Sequence, residues 1–354
     1  MSPTSHEQPT APAVSPTPPR SPELPSTMRA ATRRRYGQPD QMAVETMPRP
    51  EPQPGEVLLR VGAAGIDRAI LHLLTGEPLL ARPAFGLVRP RQPILGQQVA
   101  GEVVAVGPGP NPYVVGQRVF GMGEATFAEY ARAKPAQLAA TPDGLSDADA
   151  STLGDSGITA WIAVVTHGQV QAGQRVLILG GSGAVGSYAV QLAVHRGAHV
   201  TAVCSAAKLD LVCDLGAHEA ADYRTSTLAD LAGPFEVIID IGGNRPLAQL
   251  RSVLTPQGTL VIVGGEHGGR VFGGLHRNLI ADVTNRFTRQ RLGWMFAKTT
   301  TADLTELARL VSTGALRVPI DRRVGLAGVG EGLAAMQRGT LRGHVVVCPA
   351  QDRA

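Results

Sequence analysis

Gly181, Gly183 and Gly186 follow directly on Arg175-Val176-Leu177-Ile178-Leu179-Gly180, and Ser187-Tyr188-Ala189-Val190-Gln191-Leu192-Ala193 comes after them. An apolar, β-branched run that enters a glycine cluster and leaves with helical character reads as strand, tight turn and helix. The spacing is G-x-G-x-x-G. Its first glycine lets the chain turn, its second lets backbone N–H groups approach a pyrophosphate, and its third lets the helix pack against the strand. Phosphates would then lie along Gly181, Ser182, Gly183, Ala184, Val185 and Gly186, where unpaired N–H groups and the positive end of the helix dipole meet them. By itself the pattern serves equally as a plain strand-to-helix connection in a chain with 42 glycines.

What lies downstream decides between the two. His199-Val200-Thr201-Ala202-Val203-Cys204 reads as the next parallel strand, and at its end, about twenty residues on, an acid would hold the adenosine ribose of NAD. None is present; the chain has Ser205-Ala206-Ala207-Lys208 instead. A hydroxyl and a cation at that place suit the extra phosphate of NADP, which a carboxylate would repel. The competing reading makes Ser205 a helix cap and Lys208 a solvated first-turn residue.

These groups need elements to position them. A chain of 354 residues has room for two domains. Residues 1–27 are rich in Pro, Ser and Thr without apolar periodicity, which predicts a disordered tail. From Met28 to about Asp149 short alternating runs (Glu56-Val57-Leu58-Leu59-Arg60-Val61, Val99 to Gly107, Gly116 to Gly121) are broken by turns such as Gly107-Pro108-Gly109-Pro110. They predict a compact, partly open β-barrel without helices. From about Ser151 helices and strands alternate. Glu236-Val237-Ile238-Ile239-Asp240 and Gly258 to Gly265 are apolar on both faces, so a parallel sheet covered by helices on each side is expected: an α/β, doubly wound fold.

Composition excludes other classes. The net charge is +4, and the one dense basic run, Arg33-Arg34-Arg35, has no interleaved aromatics; a solvated sheet edge is expected there, not a nucleic-acid contact. Cys204, Cys213 and Cys348 are too few and scattered for a disulfide framework, which suits a reducing, cytoplasmic setting. No run is long and apolar enough to span a membrane.

Several segments together resemble the medium-chain dehydrogenase/reductase superfamily in its zinc-independent, NADPH:quinone reductase-like branch. They are Gly65-Ile66-Asp67 with His72, Leu95 to Gly101, Gly116-Gln117-Arg118-Val119-Phe120, Phe127-Ala128-Glu129-Tyr130, Gly157-Ile158-Thr159-Ala160-Trp161, the glycine stretch, Leu215-Gly216-Ala217, Ala221-Asp222-Tyr223 and Gly343-His344-Val345-Val346-Val347. The resemblance implies a GroES-like catalytic domain over 28–149 that is resumed over 291–354, a Rossmann domain over 150–290, and NADPH in the cleft between them. It implies further that Ser205, Lys208 and Tyr223 hold the 2′-phosphate and that Thr159 lines the nicotinamide side. Gly242-Gly243-Asn244 and Val263-Gly264-Gly265 are then the loops under the ribose and nicotinamide.

Zinc members of that superfamily carry Cys where this chain has Asp67 and His-Glu where it has Gln97-Gln98. A glutamine pair is a poor ligand set, so no metal is expected. Asp67 replaces the branch's usual Asn. It is a candidate catalytic group, as a charge beside the nicotinamide or a proton relay, and equally a turn-forming Asp. His72 is weighed the same way against simple packing, and Asp155 is expected to cap a helix.

The expected activity is hydride transfer from NADPH to a quinone or an α,β-unsaturated carbonyl, with the Leu73–Pro93 loop (Arg82, Phe85, Arg89) shaping the substrate pocket. Alternatives are an enoyl-thioester reductase with Arg89 and Arg91 on its rim, an NADP-dependent alcohol or aldehyde reductase, and a non-catalytic NADPH-binding redox sensor. Family resemblance also implies a homodimer, with Gln290–Lys298 as the edge.

Overall fold

The structure is a computed structural model that describes residues 24–353 except 244, 266–268, 272 and 296–298. The tail expected over 1–27 lies outside the described residues as far as residue 23, and the first strand already begins at Thr27.

Fifteen strands form three sheets among the described residues. β1 (Thr27–Thr32) and β2 (Ala43–Pro48) make an antiparallel ribbon. β3 (Val57–Ile66), β4 (Gln98–Val106), β5 (Arg118–Met122), β6 (Tyr130–Ala133) and β7 (Leu138–Ala140) pair antiparallel. β14 (Ile320–Val324) and β15 (His344–Val347) complete this sheet in the order β14-β15-β3-β4-β5-β7, with β6 on β3.

The other large sheet is wholly parallel. Its order is β10-β9-β8-β11-β12-β13, from β8 (Arg175–Leu179), β9 (His199–Cys204), β10 (Glu219–Asp222), β11 (Phe235–Asp240), β12 (Leu254–Ile262) and β13 (Arg291–Trp294). The order reverses between β8 and β11. In such sheets the crevice beyond the carboxyl ends at that reversal is where ligands bind.

The two halves share a core: Phe120 and Ala139 of the antiparallel sheet cluster with Ile158, Tyr188 and Ile178 of the parallel one. The chain re-enters the antiparallel sheet later than the expected residue 291. β13 is still in the parallel sheet, and Leu304, Leu307 and Ala308 of the Thr301–Ser312 helix pack into the same core as Val176, so the return is made at β14.

Two further expectations change. The stretch before Asp149 does contain a helix, Arg68–Thr75, which Asp67 caps at its start and Gly76, at φ +66°, ends. Arg33 is no solvated edge: it is buried, and its guanidinium donates to the carbonyls of Leu73 and Leu74 at the end of that helix. Arg34, by contrast, is exposed and pairs with Glu45.

Candidate active site in the cleft

At the end of β8 the sharp turn is made by Gly180, with φ +89°, and not by Gly181 as the motif suggests. The N–H groups of Gly180 and Gly181 both donate to Val203 O, at 2.9 and 3.1 Å, which fixes the turn against β9. Gly186 lies so close to this turn that a Cβ on it would sit 2.1 Å from Gly180 O, whereas one on Gly183 would meet only Gly180 O at 3.6 Å. Gly183 is the N-cap of the Ala184–His195 helix and brings no side-chain cap, so no side chain of the N-cap residue occupies the first-turn N–H groups. Such a terminus fits an anionic pyrophosphate, with Ser182, Ala184 and Val185 around it.

At the adenosine end, β9 and β10 pair in register as far as Cys204 and Asp222, which places Ser205 and Tyr223 side by side. Tyr223 donates its N–H to Cys204 O at 3.1 Å, its ring is about half exposed, and the Arg224 guanidinium lies over the ring at 5.5 Å. Ser205 makes no capping hydrogen bond, so its hydroxyl is not spent as a helix cap. Lys208 donates from Nζ to Gly339 O at 2.7 Å. Burial lowers the Lys208 pKa, as does the nearby Arg342, while Cys204 and Asp321 act the other way. Arg342 was not foreseen from the sequence; it reaches Ala207 O and pairs with Asp210 at 2.6 Å.

The nicotinamide-side loops meet at the strand-order reversal. Ile241 and Gly242 donate their N–H groups to Leu179 O at 3.1 Å each, and Gly243, at φ +65°, donates to Asp240 Oδ1 at 3.0 Å. Val263 and Gly264 donate to Asp240 O, and a Cβ on Gly264 would meet Ile241 O at 2.0 Å; Gly265 is as tightly placed against Gly274. Asn244 lies outside the described residues. A second residue missed by the sequence reading, Arg277, spans both loops: it pairs with the Asp240 carboxylate and donates to Gly264 O at 3.3 Å and Arg245 O at 3.1 Å.

Across the cleft, Asp67 is 2% exposed. Its Oδ1 accepts from Ile70 N at 3.1 Å and its Oδ2 from Gln98 Nε2 at 3.2 Å. Asp67 is thus both the helix cap and a buried acid of the cleft. Burial, then repulsion from Asp155, push its pKa up to about 8, against hydrogen bonds that pull it down. Asp155 does not cap a helix. It lies inside a continuous helical stretch, Leu153–Gly157 running on through Ile158–Trp161, in which Leu153–Gly157 takes the wider π form. Burial raises the Asp155 pKa to about 6. Thr159, half-buried, follows one turn later on the same helix.

The donor set does not fit a catalytic zinc. Gln98 is committed: its Oε1 accepts from Asp155 N and Ser156 N at 3.0 and 3.2 Å, and its Nε2 donates to Asp67. Among the described residues no three His, Cys, Asp or Glu side chains converge as a metal site would require.

In the Leu73–Pro93 loop, Phe85, Leu87 and Val88 are exposed. Arg82 is held on Gly76 O and over the Tyr36 ring, and Arg91 on Pro83 O and Ala84 O; Arg89 is exposed. His72 is exposed as well. A cavity of about 630 Å³ lined by Gln169, Gln174, Glu236 and Thr255 lies at the amino ends of the parallel strands, the wrong edge for the glycine turn.

This pairing of a GroES-like antiparallel sheet with a parallel nucleotide-type sheet defines a class of two-domain NAD(P)H oxidoreductases. Residues 53–143 match the alcohol dehydrogenase GroES-like domain and residues 215–347 the zinc-binding dehydrogenase family. The chloroplastic quinone-oxidoreductase QR1 of Triphysaria versicolor is 30% identical over 318 residues, covering 86% of this chain and 92% of that protein. A trans-enoyl reductase, pgmF, of Aspergillus terreus is 29% identical over 323 residues, covering 83% and 86%. The solved quinone oxidoreductase of Coxiella burnetii superposes with a TM-score of 0.81 at 25% identity, covering 91% of this chain and 99% of that one. The chain therefore belongs to the medium-chain dehydrogenase/reductase superfamily, in its quinone-reductase-like branch, and is an oxidoreductase.

Proposed function

We propose that this protein reduces a quinone or an α,β-unsaturated carbonyl compound with NADPH and without zinc. The observation that carries the coenzyme choice is the end of β9, where Ser205, Lys208 and Arg342 gather and the ribose-binding acid of NAD-dependent folds is missing. The three bring two cations and a hydroxyl that suit a 2′-phosphate, with Tyr223 alongside. Gly181 through Gly186 offer the pyrophosphate an uncapped helix terminus, and the Gly242-Gly243 and Val263-Gly264-Gly265 loops, braced by Arg277, suit the nicotinamide riboside, a side to which the family resemblance also assigns Thr159.

The reduced coenzyme supplies hydride when bound. The protein's part is to hold an electron-poor carbon in place and keep the cleft dry. Metal-free reduction is supported by the donor set: Asp67 and Gln98 bond to each other and to backbone N–H groups, and no Cys or His stands where the zinc members carry ligands. An enoyl thioester is the variant favoured by the likeness to a trans-enoyl reductase. Of the two arginines expected on the rim for its phosphate arm, Arg91 is spent on Pro83 O and Ala84 O, which leaves Arg89 of that pair.

The reading extends to a homodimer and a reducing, cytosol-like compartment. Leu279, Ile280, Val283 and Phe287 are exposed beside the unpaired edge of β13, an apolar face suited to a second copy, and Cys204, Cys213 and Cys348 are all free thiols. Phe296 and Lys298 of that expected edge lie outside the described residues. No helix among the described residues is long and apolar enough to cross a membrane.

The test is a fluorescence titration with NADPH and NADH, followed by turnover with naphthoquinone and cyclohexenone. Tighter binding of NADPH with turnover of either substrate is expected. Preference for NADH, or coenzyme binding with no turnover, would overturn the reading, the latter in favour of a sensor.

A further inference from the structure

Hydride delivery leaves the accompanying proton unassigned, and two acidic residues, Asp67 and Asp155, lie close together through a shared Gln98. The carboxylate of Asp67, just after β3, and the backbone N–H of Asp155, in the 153–161 helical stretch, are bonded to the same amide. Gln98 Nε2 donates to Asp67 Oδ2 at 3.2 Å, and Gln98 Oε1 accepts from the Asp155 N–H at 3.0 Å and the Ser156 N–H at 3.2 Å. A weaker contact, Gln98 Nε2 to Ser156 Oγ at 3.4 Å, closes the group. Gln98 is itself fully buried on β4, so the Asp67 carboxylate and the Asp155 backbone are both tied to that strand. They differ in access. Asp67 is sealed, whereas Asp155 is only partly covered and lies four residues before Thr159 in the same helical stretch.

We propose that Asp155 donates the proton that completes reduction of a carbon–carbon double bond conjugated to a carbonyl, and that Asp67 is the positioning residue that keeps a proton on the pair. This rests on the preceding reading and narrows its substrate to an enone. Hydride from the reduced coenzyme forms a C–H bond at the β-carbon, and the double-bond electron pair moves toward the carbonyl oxygen, leaving an enolate. The Asp155 O–H bond then breaks as the α-carbon C–H bond forms, and water reprotonates the carboxylate. A quinone has less need of the donor, because the quinol anion takes its proton from solvent.

Electrostatics agree with the geometry. Burial raises both acids, and the charge of Asp155 raises Asp67 further, so Asp67 keeps its proton well above the usual carboxylate range. Among the described residues the charged group set against Asp67 is Asp155. Its other neighbours are the Ile70 and Ala69 N–H groups of the helix and the neutral Gln98 of β4.

The experiment compares the full chain with Asp155→Asn and Asp67→Asn, using cyclohexenone and naphthoquinone. Loss of a general acid costs on the order of 10²-fold, so kcat for the enone should fall by about that factor in Asp155→Asn, and at least about ten-fold less for the quinone. The wild-type enone rate should decline as pH rises through the titration of the pair, and that limb should vanish in Asp155→Asn. A readout free of turnover is the infrared band of a protonated carboxylic acid in the coenzyme-free protein, present at neutral pH and lost in either variant.

An unchanged enone rate, equal losses on both substrates, or no such band would overturn the proposal. A wild-type protein that turns over neither substrate overturns the parent reading; because the band needs no substrate, the two failures are told apart.

Discussion

The guanidinium of Arg277 and the carboxylate of Asp240 form a buried ion pair beneath the two loops that close the carboxyl end of the parallel sheet, 8% and 1% exposed at their side chains. Asp240 also accepts from Gly243 N, and Arg277 also donates to Gly264 O and Arg245 O, so one pair holds both loops in register. Removing one partner of a buried pair leaves a charge uncompensated, which costs about 3–5 kcal/mol. Arg277→Met should therefore lose that much stability by urea denaturation, and should bind coenzyme more weakly even where it remains folded.

Two glycines of the same motif, Gly183 and Gly186, should behave differently. In Gly186→Ala the new methyl meets Gly180 O at 2.1 Å and the Gly181 backbone at 2.8 Å, with no flexible side chain to yield. Overpacking of this kind costs about 1–3 kcal/mol or more, visible as a lowered Tm without coenzyme. In Gly183→Ala the methyl meets only Gly180 O at 3.6 Å, in ordinary contact, so the bare protein should melt within about 1 kcal/mol of wild type. The methyl would project where a pyrophosphate must approach, and NADPH affinity should fall at least about ten-fold, a loss of about 1.4 kcal/mol.

Much of the fold was legible because its signals are local. The β8 run into the glycines and the β-branched β11 and β12 each announce themselves over a few residues. The Arg68–Thr75 helix also carries its signals, an Asp cap and a Gly stop, but eight residues give too little periodicity to stand out from strands. Arg342 and Arg277 were illegible for another reason. Arg342 meets Ala207 across 135 positions and Arg277 meets Asp240 across 37, contacts that exist only once the chain has folded back. Asp155 was misread because its neighbours Ser156 and Gly157 resemble a helix start, when the helical path is already under way at Leu153.

Lys208 and Arg342 share the adenosine end, and their separate removal should be read on both coenzymes. A hydrogen bond to a charged group is worth about 1.5–3 kcal/mol, so Lys208→Ala and Arg342→Ala should each raise the Kd for NADPH by about 10- to 150-fold. NADH has no phosphate to lose, and its Kd should move less than about three-fold. Equal weakening of both coenzymes would show that the two cations act only by bracing the Gly339–Gly343 turn, through Gly339 O, against Ala207 and Asp210.

His344 supplies a pH test that is independent of the cleft. It is buried on β15, its ring is tilted against Tyr188 at a centroid distance of 5.0 Å, and its Nε2 lies 3.4 Å from Ser187 Oγ. Burial pushes its pKa down to about 3 from 6.5, so the folded protein keeps the ring neutral while the unfolded chain protonates it. The unfolded state then binds more protons below pH 6.5, and stability falls as the medium is acidified from about 6.5 toward 3, by up to about 1.4 kcal/mol per pH unit. The raised carboxyls Asp67 and Asp155 act with opposite sign: their folded state binds the extra proton, so their contribution is present at low pH and is lost as pH rises from about 4 toward 8. Between pH 4.5 and 6 the two carboxyls outweigh the one imidazole, so wild-type urea midpoints should fall as pH rises. In His344→Gln, which has no ring to protonate, they should fall more steeply over the same range.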